Sequence, residues 1–172
     1  LFSIRDGYRF NSRESIKTDG PSYNSGRNPV YGVPINYFMS EGDSTVVTLA
    51  IENAGGEIIR TLEGTYNLGV NRIWWDLRYE PTYKPKLRTV PPGRPWVQLN
   101  GEGWRPLVTW DLDLWRGQFG PRVVPGHYTA VLKVNGKEFR ESFSVIKDPN
   151  SGGSVADIEK QVALSLELRD AM

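Results

Sequence analysis

The chain has 172 residues, with 21 Lys and Arg against 20 Asp and Glu, for a formal charge of +1; it holds 12 Pro, 18 Gly and 6 Trp, a single His and no Cys. Zero Cys excludes a disulfide framework, a thiol nucleophile and Cys-ligated zinc, and the balanced charge lacks the concentrated basic excess of a nucleic-acid binder. One His leaves little for His-based catalysis or metal binding, and no apolar run approaches the roughly 18 residues of a membrane span.

Residues 1–32 are polar and turn-rich, with Thr18-Asp19-Gly20-Pro21-Ser22 as loop chemistry, and read as an extended N-terminal arm or linker. The absence of a Met at Leu1 and a closing segment that reads as helix predict a piece of a longer protein.

From residue 33 the apolar period becomes two. Val33, Ile35, Tyr37 and Met39 alternate with Pro34, Asn36, Phe38 and Ser40, with Pro34 marking a strand start or sheet edge. Glu41-Gly42-Asp43 is a turn. Val47, Leu49 and Ile51 share one face of the next strand, and Asn53-Ala54-Gly55-Gly56 turns it back into a return strand over Glu57–Leu62. After a break at Gly64–Gly69, Val70–Arg78 is expected as a strand with Ile73, Trp75 and Leu77 facing inward, and Asp76 as a turn-maker.

Residues 79–118 differ in kind. They hold six of the twelve prolines and four of the six tryptophans, too much Pro for helix and too many rings for a disordered linker. We read them as an insertion packed as a flap, with a small hairpin formed by Trp96–Leu99, the turn Asn100–Gly103 and Trp104–Asp111.

The clearest local signal follows. Tyr128, Ala130, Leu132 and Val134 alternate up to Asn135-Gly136, and Phe139, Glu141, Phe143 and Val145 alternate after it. Asn-Gly accepts positive φ at both positions of a type I′ turn. That turn pairs Val134 with Lys137, Leu132 with Phe139 and Tyr128 with Phe143, which places both apolar sets on one face, with Glu141 as the exception opposite Ala130. Asp148–Gly153 breaks the sheet. Ser154 and Asp157 have capping-box spacing, and Val155, Ile158, Val162 and Leu166 recur at helical intervals with Leu164 and Leu168 beside them. A helix of ~18 residues is marginal alone and needs a surface to lie on.

Asn28-Pro29-Val30-Tyr31-Gly32-Val33-Pro34-Ile35-Asn36-Tyr37, the segments Val47–Leu62 and Gly69–Arg78, Val124-Pro125-Gly126-His127-Tyr128, and Asp148-Pro149 before a Ser-capped helix together resemble a known module. It is the C-terminal immunoglobulin-like module, of the flagellar hook-capping type, of secreted sortilin-like or BNR-repeat β-propeller proteins labelled glycosyl hydrolase-like. The resemblance covers about residues 28–78 and 120–170. It implies an immunoglobulin/fibronectin-like antiparallel β-sandwich and an extracytoplasmic location, secreted or periplasmic. The propeller's Asp-box, Ser-x-Asp-x-Gly-x-Thr-Trp, does not occur here, so the propeller's activity does not carry over.

The chemistry-bearing candidates are few. His127 lies on the strand face opposite Tyr128, without the nucleophile and carboxylate of a triad. Asp111 and Asp113, two apart among aromatics, are the sharpest hydrolase candidates, because glycosidases use two carboxylates flanked by sugar-stacking rings; Arg105 and Arg116 nearby offer ion pairing instead. Trp96, Trp104, Trp110 and Trp115, with Tyr83 and Arg105, form the candidate binding set. Their rings could cover the sandwich, pack on a neighbouring domain where Trp, Tyr and Arg concentrate binding energy, or stack on a glycan. No phosphate-binding loop is present, and no cofactor or metal is expected.

The sequence thus predicts a mainly β chain: an arm over 1–32, a β-sandwich over 33–147 with its insertion at 79–118, and a linker and helix over 148–172. The expected function is that of a non-catalytic accessory module of a larger extracytoplasmic protein. Its partner would be a β-propeller, of the same polypeptide or of another protein. A carbohydrate-binding module and a glycoside hydrolase are the alternatives.

Overall fold

The computed structural model describes residues 1–10, 30–40, 46–83, 86–106 and 119–171. It is mainly β, with a C-terminal helix. The described strands are β1 (Gly7–Arg9), β2 (Val33–Met39), β3 (Val47–Glu52), β4 (Ile58–Glu63), β5 (Gly69–Trp75), β6 (Lys86–Leu87), β7 (Arg105–Pro106), β8 (Gly126–Val134) and β9 (Lys137–Lys147), followed by α1 (Val155–Asp170). They form a five-stranded sheet in the order β1-β9-β8-β3-β4, a pair β2-β5 and a small pair β6-β7.

The β8–β9 hairpin has the register its turn dictates: Val134 opposite Lys137, Leu132 opposite Phe139, Tyr128 opposite Phe143 and Glu141 opposite Ala130. Asn135 and Gly136 both have positive φ, 49° and 75°, as the two-residue turn requires. The β3–β4 hairpin closes on Asn53, whose Oδ1 accepts the backbone N–H groups of Gly55 (2.9 Å) and Glu57 (3.0 Å). A register shift at Ile51/Glu52 then offsets the return strand.

Alternation fills the core as expected. Val33, Ile35, Tyr37 and Met39 of β2 and Ile73 and Trp75 of β5 meet Val47, Leu49 and Ile51 of β3 and Tyr128, Ala130, Leu132, Phe143 and Val145 of the β8–β9 hairpin in one cluster. Trp75 is its centre: fully buried, 5.3 Å from the Tyr128 ring and 5.8 Å from the Phe143 ring, with its indole N–H donating to the Arg78 carbonyl at 3.0 Å. The buried polar side chain Asn71 organises the 65–69 connection. Its Oδ1 accepts from Thr65 Oγ1 (2.7 Å) and the Asn67 amide (3.1 Å), and its Nδ2 donates to the carbonyls of Asn67 (2.6 Å) and Gly69 (3.2 Å). All its bonding capacity is met inside the protein, which removes the penalty for burying an amide.

Several elements differ from the sequence reading. The segment read as an arm contains β1, which pairs in parallel with the outer edge of β9, Gly7 opposite Val145 and Arg9 opposite Lys147. Upstream of β1, the Phe2 amide donates to the Asn36 carbonyl on β2 at 3.0 Å, and Leu1 and Ile4 pack on the core. The first ten residues therefore touch both the five-stranded sheet and the β2–β5 pair. No turn signal announces such a parallel pairing, because its partner lies more than 130 residues away. The strand expected over Val70–Arg78 ends at Trp75. Leu77 is fully buried with φ 58°, a left-handed conformation uncommon outside Gly. The chain reverses there, and Asp76 Oδ2 lies 3.9 Å from Arg78 Nε while Asp76 Oδ1 is buried without a partner.

Helix α1 begins where the capping box predicts. The Asp157 amide donates to Ser154 Oγ at 3.1 Å, and the Ser154 amide donates back to Asp157 Oδ2 at 3.0 Å. Ser154 Oγ also donates to Asp157 Oδ2 at 2.6 Å, and that bond first, with the Ser154 amide second, holds the Asp157 carboxyl below the usual carboxylate range. Ile158 and Val162 are buried, Leu166 is half-buried, and Leu164 and Leu168 are exposed on the far side. The helix lies across the strand end: Arg9 Nη2 reaches Gln161 Oε1 at 3.4 Å, and Thr82 Oγ1 donates to the Arg169 carbonyl at 3.2 Å. Among the described residues no helix is long and apolar enough to cross a membrane.

Tyr128 carries a pH consequence. Burial is the main cause that pushes its phenol far above the usual tyrosine range, and burial also raises Tyr31 and Tyr79. The fold favours the neutral phenol, so this stabilisation is complete below the unfolded value of about 10 and is lost as pH climbs past it. Urea midpoints should hold steady at mildly alkaline pH and fall above about pH 10. Tyr128→Phe should make that fall shallower.

Candidate functional site

The binding set expected on the insertion divides. Trp110 and Trp115, like the hydrolase candidates Asp111 and Asp113, lie outside the described residues. Trp104 and Arg105 sit where the flap pairs with itself: Leu87 of β6 is opposite Arg105 of β7, and Lys86 is opposite Pro106. The loop before them closes on Asn100, whose amide donates to the Trp104 carbonyl (2.8 Å) and whose Oδ1 accepts the amides of Glu102 (3.0 Å) and Trp104 (3.1 Å). The expected turn at Asn100–Gly103 is present, but the strand it serves pairs with Lys86–Leu87. Trp96–Leu99 is not a strand, because Pro91, Pro92 and Pro95 just upstream favour turns over ladder hydrogen bonding.

Within this flap the candidate side chains have different environments. Trp104 is partly covered: its Nε1 donates to Glu102 Oε2 at 2.7 Å, and Lys86 Nζ stands 5.0 Å from its ring centroid. Arg105 Nε donates to the Thr89 carbonyl at 2.6 Å, which commits that edge of the guanidinium to bracing the flap. Trp96 is 65% exposed and Tyr83 is 74% exposed. Neither Trp96 nor Trp104 belongs to the core cluster or to the side chains packed against it.

A second aromatic surface is built by the β2–β5 register. Pro34 lies opposite Trp74, Asn36 opposite Arg72 and Phe38 opposite Val70. These six side chains point away from the core, since their neighbours in each strand are the buried ones. Phe38 is 59% exposed, Val70 is 67% exposed and Trp74 is 36% exposed. Arg72 Nε donates to Asn36 Oδ1 at 2.7 Å in the middle of the face, and its guanidinium sits 5.8 Å from the Trp74 ring centroid. The result is an apolar and aromatic strip with one oriented cation at its centre. Alternation alone marks Phe38 and Trp74 as outward-facing. Their alignment in one strip depends on a strand pairing that joins residues 36 positions apart.

At the opposite end of β2, arginines from three distant segments converge. Arg122 Nη1 donates to the Phe10 carbonyl at 3.0 Å and lies 5.4 Å from the Tyr31 ring centroid, with Phe10 edge-on to Tyr31 at 4.9 Å. Arg78 Nη1 donates to the Gly120 carbonyl at 2.8 Å and stands 5.2 Å from the Phe119 ring centroid. The proton affinities of Arg9 and Arg78 are lowered, first by burial and next by the charge of Arg122. Sequence reading missed this cluster, because Arg9, Arg78 and Arg122 share no motif.

His127 is exposed, with Nδ1 3.2 Å from Ser144 Oγ. Among the described residues no three His, Asp or Glu side chains converge as a metal site. Comparison with protein-family models, with curated proteins and with solved structures gave no match, so it is the surface chemistry of this chain that bears on its function.

Proposed function

We propose that this chain is a non-catalytic, immunoglobulin/fibronectin-like β-sandwich module that packs against a second protein body. By resemblance, that body is a β-propeller of the same polypeptide or of another protein, in an extracytoplasmic setting. The sandwich reading is supported by the sheet order β1-β9-β8-β3-β4 facing the pair β2-β5 across one core. It is also supported by Tyr128, near the start of β8, whose hydroxyl donates to the Val124 carbonyl four residues upstream at 2.6 Å. A tyrosine tied back to its own corner in this way is a recurring device of such sandwiches.

The observation that carries the packing role is the outer face of β2–β5. A solvated sheet face ordinarily alternates to polar residues, and here three of the four strip positions around Asn36–Arg72 that are apolar are large and open to solvent: Phe38, Val70 and Trp74. Aromatic residues and Arg at the centre of a patch are the composition of an interface core.

The test is binding to a separately produced β-propeller body, of the same polypeptide or of another protein. A Phe38→Asp, Trp74→Ala variant should fold with an unchanged denaturation midpoint and bind that body about 30-fold or more weakly. Undiminished binding would sink the packing role. The exposed Tyr83 and Trp96 support the glycan alternative, which predicts instead that Tyr83→Ala and Trp96→Ala abolish retention on a polysaccharide. The hydrolase alternative rests on Asp111 and Asp113, and no observation on the described residues favours it.

A further inference from the structure

The arginine cluster borders a groove that the packing role does not use. One cavity of about 220 Å³ is lined by Arg9, Arg122, Gln161, Val162 and Ser165. Another of about 210 Å³ is lined by Arg9, Phe10, Arg122, Lys147, Asp148, Ser151 and Ile158. Arg9 and Arg122 line both, so the two spaces meet at a pair of guanidinium groups beneath α1. Each has room for a small ligand of several heavy atoms.

Among the described residues the charge around this junction is mainly positive. Arg9, Arg122 and Lys147 face a single described carboxylate, Asp148, whose Oδ1 already accepts the Asn150 amide at 2.9 Å. Lys147 Nζ donates to the carbonyls of Asp148 and Ser151, so it contributes charge and not a free contact. Arg9 has the least satisfied guanidinium. Its Nε is buried with no partner, and its contact on α1 is a neutral amide at 3.4 Å, a long bond. A partly buried guanidinium beside another cation is costly unless an anion completes it. Its planar fork suits the two oxygens of a carboxylate or phosphate.

We propose that this groove is an oxyanion site in which Arg9 and Arg122 hold the carboxylate or phosphate group of a small ligand, with Gln161 and Ser165 of α1 along the opposite wall. The site joins β1, the segment before β8 and α1, so an occupant would tie the helix to the sheet edge.

The test is thermal unfolding and calorimetry of the whole chain with inorganic phosphate or succinate, each against sodium chloride at matched ionic strength. Either anion should raise the melting temperature beyond the chloride control, and the stronger arm identifies a phosphate-bearing or carboxylate-bearing ligand. Arg9→Gln should weaken binding about tenfold or more, while Arg72→Gln, on the β2–β5 face, should leave it unchanged. Gln161→Glu places a carboxylate beside Arg9 and should raise the melting temperature while abolishing the anion response, which keeps the proposal testable if Arg9→Gln folds poorly. No shift beyond chloride, or equal affinity in wild type, Arg9→Gln and Gln161→Glu, would overturn the proposal. None of these readouts involves the propeller body, so this result and the packing test fail independently.

Discussion

Trp75→Ala is expected to cost about 3–5 kcal/mol, the range for removing a large buried aromatic side chain. The ring is fully buried and contacts Tyr128 and Phe143 of the five-stranded sheet, so its loss opens a cavity in the core cluster. The Arg78 carbonyl also loses the indole donor at 3.0 Å, and that carbonyl belongs to the turn that carries the left-handed Leu77. A domain holds only about 5–15 kcal/mol in total, so the variant should populate unfolded chain at modest urea. Trp75→Phe divides the loss, because it keeps an aromatic ring in the core while removing the N–H donor and part of the ring volume. It should fall between wild type and Trp75→Ala in equilibrium denaturation. Equal midpoints for Trp75→Ala and wild type would refute the central role given to this ring.

Gly32→Ala is expected to cost about 2–4 kcal/mol, from two causes acting at one atom. Gly32 has φ +126°, a conformation that L side chains rarely adopt, and a Cβ built there would lie 2.2 Å from the Trp75 carbonyl oxygen. Backbone must move to admit it. The glycine allows the chain to enter β2 pressed against the end of β5, immediately before Val33 pairs with Trp75. Gly101 offers the contrast: a Cβ there meets nothing within 4 Å, so Gly101→Ala should change the unfolding free energy by less than about 0.5 kcal/mol. Gly32 and Trp75 share this contact, so combining Gly32→Ala with Trp75→Ala should cost less than the sum of the two.

Gly32 also shows what a sequence motif can and cannot say. Asn-Pro-x-x-Gly is readable as a pattern, and a glycine at its end is readable as a tight place. The reason for the glycine is a carbonyl 43 residues further along the chain. Arg105 shows the reverse. It reads as a binding candidate because it stands among tryptophans, but the fold occupies its Nε in bracing the flap. Phe38 and Trp74 were legible only as outward-facing residues of separate strands, and pairing made them one surface.

Composition first removed functions from this chain, and local rules then fixed much of its framework. The β8–β9 register, the capped start of α1 and the inward faces of β2, β3 and β5 follow from turn chemistry and periodicity, which act over a few residues. The tertiary structure decided the rest: the parallel seat of β1 on β9, the pairing of β6 with β7, the end of β5 at Trp75, the strip across β2–β5 and the meeting of Arg9, Arg78 and Arg122. Each depends on segments far apart in sequence. Their contact is set by loop closure and core packing, and no local pattern encodes which of many similar strands or cations will meet.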